Sequence, residues 1–179
     1  METFTGCKPF VENSGFQAQR CDRVNKLKMD TIDGPIVDLV KGLSKLHFCF
    51  TLQSCWGHFL YKTMRDRRNT ERLVSSATMD TVEYRLAYLA LCIEDSAAGR
   101  ELYRELKKTP EIDPPYIQFG CADWFWERQV NSYVLQVEPE RHRTKDRVTV
   151  GYEEALRIQD VRDRFFFHLN GLLRTLIEE

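Results

Sequence analysis

His47-Phe48-Cys49-Phe50-Thr51-Leu52-Gln53-Ser54-Cys55-Trp56-Gly57-His58-Phe59-Leu60-Tyr61 is the stretch around which the chain is organised. Phe48, Phe50 and Leu52 alternate with Cys49, Thr51 and Gln53, and a period of two marks a strand with one apolar face. That alternation places His47, Cys49, Thr51, Gln53 and Cys55 together on the opposite face. Gly57 then ends the strand, because glycine takes a positive φ without steric cost. A thiol, a hydroxyl, an indole and two imidazoles are thus delivered to one strand and the loop after it. Ligands commonly bind at such positions.

Upstream of this strand, Ser14 and Gln17 form a capping-box pattern that starts a helix over 15–28. Pro35 stands at a first helical position, and Ile36, Leu39, Val40 and Leu43 form one apolar helical face. Downstream, residues 82–93 alternate and then turn wholly apolar before a new cap at Asp95-Ser96, and we read them as one strand. Ala98, Leu102 and Leu106 predict a helix over 96–108, stopped by Thr109-Pro110. Tyr116 to Phe119 reads as a third strand, with Trp124-Phe125-Trp126 continuing the β-favouring aromatic run. Asn131-Ser132 turns into a fourth strand, Tyr133 to Val137, closed by Pro139. Tyr152 to Ile177 is a long helix with Ile158, Val161, Phe165, Leu169, Leu172 and Leu176 on its core face. The order ααββαββα predicts an α+β fold: a single domain, 1–179, with a mixed sheet of about four strands and helices packed against it.

Composition excludes several classes. The 179 residues are 42% hydrophobic and 30% charged with a net charge of −1, which gives no general attraction to nucleic acid. There is no run of about 18 apolar residues, so no membrane-spanning helix is expected. The N-terminal residues lack the pattern of a signal peptide, which predicts a cytoplasmic protein with reduced cysteines. Cys7, Cys21, Cys49, Cys55, Cys92 and Cys121 contain no Cys-x-x-Cys, which argues against a disulfide framework or a zinc ribbon. Gly-x-Gly-x-x-Gly, Walker and Gly-x-Ser-x-Gly motifs are absent, so standard dinucleotide, NTPase and hydrolase readings lack support.

The candidate site is the strand end Thr51–His58. Thr51, Gln53, Ser54, Trp56 and Gly57 are its candidate ligand-binding residues, with Gln118 and Gln136 as neighbours from other strands. Arg65, Arg68 and Arg141, from two basic loops at 61–72 and 139–147, are candidate anion contacts. Aromatic and basic residues around one polar loop predict a nucleotide or nucleic-acid fragment, RNA included, as ligand, with Trp56, Trp124 and Trp126 a candidate stacking platform. Cys55 and His58 are the candidate catalytic pair, because an imidazolium beside a thiol favours the reactive thiolate. The same pair could serve a zinc-dependent enzyme if His142 supplied a further ligand. That requires the fourth strand to lie beside the central one and run the same way. We expect no metal. In a different class, the chain would be a non-enzymatic interaction protein that self-associates through its C-terminal helix, since one face cannot bury Phe165, Phe166 and Phe167 together.

Residues 29–61 resemble the N-terminal part of the tRNA wybutosine-synthesis methyltransferase family and its uncharacterised relatives. That family places an Asp-Pro helix before a strand reading roughly Thr-Thr-Ser-Ser-Cys-Ser-Gly-Arg. Asp33, Pro35, Thr51, Ser54, Cys55 and Gly57 stand at corresponding points, and Tyr133 to Glu138 resembles a second family strand. Trp56 stands where the family has a small Ser and His58 where it has Arg. The resemblance implies an α+β fold, a ligand site at this loop, and S-adenosylmethionine as cofactor.

Overall fold

The computed structural model describes residues 4–75, 79–139, 142 and 146–178. In it the central stretch turns a corner. Strand β2 (Cys49–Cys55) belongs to a five-stranded sheet and β3 (His58–Leu60) to a separate three-stranded one, with Trp56-Gly57 between them. The segment predicted as one strand over 82–93 does the same, breaking at Leu86 into β4 (Thr81–Arg85) and β5 (Ala87–Ile93). Both segments bend at one level. Cys55 pairs with Tyr88 before the corner and His58 with Arg85 after it, so the antiparallel register continues across the bend.

The remaining strands are β1 (Phe4–Thr5), β6 (Ile117–Ala122), β7 (Ser132–Val137) and β8 (Arg147–Gly151). The large sheet has the order β1-β6-β7-β5-β2 and the small one β3-β4-β8. Among the described residues every pairing is antiparallel, so the α+β class stands while the mixed four-stranded sheet is corrected to two antiparallel sheets with eight strands. The helices are α1 (Phe16–Lys26), α2 (Val37–Lys45), α3 (Ala97–Lys108), α4 (Asp123–Arg128) and α5 (Tyr152–Glu178). The Ser96 hydroxyl caps α3 by accepting from the Gly99 N–H, as its sequence position suggests. Helix α4 corrects the reading of Trp124-Phe125-Trp126 as extended. Only Phe125 of the three is buried, and a helix turns the two indoles away from it.

The large sheet has two unlike faces. Leu89, Leu91 and Ile93 of β5 join Leu39 and Leu43 of α2, Leu102 and Leu106 of α3, and Phe165, Phe166 and Leu169 of α5 in one apolar core that also reaches Val82, Val148 and Val150 of the small sheet. The other face carries Ala90, Val134, Phe4, Ala122 and Phe125 in a smaller cluster. Phe165 and Phe166 are buried and Phe167 is 82% exposed, in keeping with the limit on what one helix face can cover. Among the described residues no helix is long and apolar enough to cross a membrane.

Candidate functional site

A bulge decides which residues of β2 reach the site. Thr51 pairs with Leu91 and Gln53 with Ala90, leaving Leu52 as an extra residue in the ladder. Each residue before the bulge keeps its face, and the alternation restarts after it. Cys49 and Thr51 therefore face the helix side with Ile93 and Leu91, while Gln53 and Cys55 face the other side with Ala90 and Tyr88. The single reactive face read from the alternation is divided in two. Cys49 is fully buried, and its thiol is pushed up to about 12 by burial.

The side reached by Gln53 and Cys55 is the open face of the sheet, and it holds a cleft of about 240 Å³. Phe4, Tyr88, Ala122, Phe125 and Val134 supply its apolar wall, Gln53, Gln136 and Cys55 its polar groups, and Arg85, Glu138 and Asp146 its charges. Gln118 lies beside it, accepting from the Gln136 amide at 3.5 Å and donating to the Glu138 carbonyl at 3.1 Å. The Tyr88 hydroxyl donates to Gln53 Oε1 at 3.0 Å, and Gln136 Nε2 donates to Glu138 Oε2 at 2.8 Å. Gln53 Nε2 and Gln136 Oε1 take no hydrogen bond among the described residues, so one amide donor and one amide acceptor remain for a ligand.

Behind Cys55 the corner brings together three groups from separate segments. Asp33, from the turn that starts the Asp-Gly-Pro helix entry, places Oδ2 3.2 Å from His58 Nε2 and accepts the Trp56 backbone N–H at 2.8 Å. The other ring nitrogen, Nδ1, meets the Asn69 carbonyl at 2.8 Å and must donate there, which fixes the ring. The Cys55 sulfur, the Asp33 carboxylate oxygen and a His58 ring nitrogen all lie within 4.8 Å of one another. Burial opposes charging of His58, but hydrogen bonds to Asp33, Cys55 and the Asn69 carbonyl outweigh it and raise the imidazole to about 10. Burial likewise disfavours the Asp33 carboxylate, and the His58 and Trp56 hydrogen bonds more than offset it, so its value falls.

Gly57 makes the corner possible. Its φ is +87°, and a Cβ there would lie 2.8 Å from Ala87 Cβ and 3.0 Å from Ala87 N. The fully buried Arg162 of α5 donates to the Gly57 carbonyl at 3.1 Å and sits 4.3 Å from the centroid of the Trp56 ring. Trp56 is stacked on Phe166, so it belongs to the core and not to the cleft.

Several expected site residues lie elsewhere. Thr51 and Ser54 face the helix side, and Arg65 and Arg68 do not line the cleft; Arg85, bonded to the Arg67 carbonyl, is the cation that does. Arg141 lies outside the described residues. Trp124 lies under Arg128 and Trp126 packs against Tyr133 and Lys8, so the three indoles form no common platform. Strands β2 and β7 run the same way but with β5 between them, and His142 is not part of the cluster that Cys55 and His58 form. Asp33 holds that place. The signal that could have found it is its position before Gly34-Pro35, at the start of the turn that leads into α2. No family model, curated protein or solved structure matches this chain.

Proposed function

We propose that the chain binds a flat heterocyclic ligand of the nucleobase or nucleoside class in the cleft on the open sheet face, with Cys55 as the group presented to it. The observation that carries this reading is the pairing of an unspent amide donor on Gln53 with an unspent amide acceptor on Gln136, beside the rings of Tyr88 and Phe125. Amide side chains read the edges of bases, and aromatic rings hold their faces. The volume of about 240 Å³ is below the roughly 300–1,000 Å³ of sites that enclose drug-sized molecules, which favours a base or nucleoside over a larger cofactor. The charges point the same way. Arg85 is balanced by Glu138 and Asp146, a poor setting for a polyphosphate or a long RNA backbone.

A thermal-shift screen of nucleobases, nucleosides, nucleotides, S-adenosylmethionine and short RNAs tests the proposal. A ligand at a hundred times its Kd should stabilise the protein by about 2.7 kcal/mol. That gain should disappear in Gln136→Ala and Gln53→Ala. A response from none of these compounds, or one undiminished in both variants, removes the reading.

A further inference from the structure

We infer that Asp33, Cys55 and His58 form a binding site for a divalent transition metal of the zinc type, with its fourth coordination position opening into the cleft. Three independent features of the corner lead there. First, the His58 ring is oriented as a metal needs. Nδ1 is committed as a donor to the Asn69 carbonyl, so Nε2, which faces Asp33 and Cys55, is the nitrogen that would exchange its proton for a metal. Metal-ligating histidines nearly always donate their other ring N–H to a carbonyl or carboxylate in this way. Second, the spacing is that of a coordination shell. With bonds of about 2.0–2.2 Å to nitrogen and oxygen, two ligands of a tetrahedral zinc stand roughly 3.3 Å apart. Asp33 Oδ2 and His58 Nε2 are 3.2 Å apart. The Cys55 sulfur lies within 4.8 Å of both and supplies the third ligand atom.

Third, the cluster offers one sulfur, one carboxylate oxygen and one ring nitrogen within 4.8 Å of one another, the donor types a zinc-type ion takes. The donor set also selects the ion. Sulfur and imidazole nitrogen suit zinc, cobalt and related metals, and suit magnesium or calcium poorly. The remaining Asp33 contact, from the Trp56 backbone N–H, holds the carboxylate in place as outer-shell partners of metal ligands do.

The open position gives the site its meaning. Catalytic zinc centres keep three protein ligands and one exchangeable position, whereas structural ones are closed by four. Cys55 is the one residue that both belongs to the cluster and lines the cleft, so the fourth position faces whatever the cleft holds. A zinc there supplies a Lewis acid or an acidified water at the end of the cleft nearest Cys55. The metal site stands on its own geometry; only what reaches its fourth position rests on the cleft as a ligand site.

The test uses the full chain, expressed without a histidine tag and purified without chelator. Elemental analysis should find about one zinc per chain, since a site with three protein ligands, one of them a thiol that zinc binds as thiolate, should hold its metal through purification. Removing that metal and adding cobalt(II) should produce a sulfur-to-cobalt charge-transfer band in the near ultraviolet. Cys55→Ser should abolish the band and Asp33→Asn should weaken cobalt binding at least about tenfold. Cys21→Ser, which alters an exposed thiol away from the cluster, should leave both intact. Less than about a tenth of a zinc or cobalt per chain after incubation with excess metal and dialysis overturns the inference. So does a band that persists in Cys55→Ser. Should Asp33→Asn fail to fold, the Cys55→Ser spectrum decides alone, because serine is close in shape and Cys55 is only half-buried. Gln136→Ala keeps the metal while losing the heterocycle, so each idea fails separately.

Discussion

At the scale of single residues, Gly57 does more for the site than the groups that would act there. It carries the corner between Cys55 and His58 with a φ of +87° and lets Ala87 pass within van der Waals distance. Any side chain there meets both the strain of a left-handed backbone and a backbone atom that cannot step aside. Gly57→Ala should therefore cost at least about 1–3 kcal/mol in urea unfolding. The same substitution at Gly171, inside α5 with nothing within 4 Å of its Cβ position, should stabilise by about 0.5–1 kcal/mol. Equal effects of the two changes would contradict the role given to the corner. Sequence reading found Gly57 because positive φ is a property of the residue itself. It did not find Asp33 as a partner of His58, because the contact that joins them spans two separate turns and has no local period.

The elements show the same division. The helices α1, α2, α3 and α5 were legible because their apolar spacing is local, helped at α3 by the Ser96 cap. The Ser14-Gln17 capping box read for α1 does not form, and Gly15 stands at its N-cap. Strand β7 was legible because its run of β-favouring residues is unbroken. What hid the rest was interruption. The corner at Leu86 depends on the Tyr84 hydroxyl, which accepts from the Ala87 N–H and donates to the Val137 carbonyl, a link between β4 and β7 that no window of sequence contains. Strand β8 needs β4 as a partner, and its Val148-Thr149-Val150 signal is too short to stand alone. The bulge at Leu52 is the most consequential interruption, because a one-residue slip exchanges the faces of a strand. It also yields a test. Deleting Leu52 removes the extra residue, so Thr51 and Gln53 keep their partners and Cys55 stays on the cleft side, with only the packing of one half-buried leucine lost. Deleting Ser54 instead turns Cys55 toward the helices. After removal of any bound metal, a thiol reagent should label Cys55 in the folded Leu52 deletion, and the Ser54 deletion should lose that labelling or its folded state. Labelling of Cys55 in a folded Ser54 deletion would refute the bulge as the element that aims the thiol.

Across the whole molecule, burial of ionisable groups sets a limit on the alkaline side. Cys49 and Cys92 are held up to about 12 and Cys121 to about 11, in each case chiefly because burial penalises a thiolate. Burial also raises Tyr84 and Tyr133, which belong to the same core as Cys49. These groups keep their protons in the folded chain at pH values where the unfolded chain has released them. A thiol near 9 when unfolded and near 12 when folded contributes stability that is complete below about 9 and lost as the pH rises toward 12. Because Cys49, Tyr84 and Tyr133 sit in one continuous core that spans both sheets, the loss should appear as a single cooperative transition and not as separate melting of either sheet. Denaturant midpoints should thus be governed little by these groups between pH 7 and 8.5, and should fall steeply above pH 9. Unfolding at pH 10 should release protons, and Cys92→Ala should reduce that release by about one per chain. A midpoint that holds constant from pH 8 to 11 would mean that these thiols and phenols titrate freely in the folded chain, and the packing described around Cys49 and Cys92 could not then be correct.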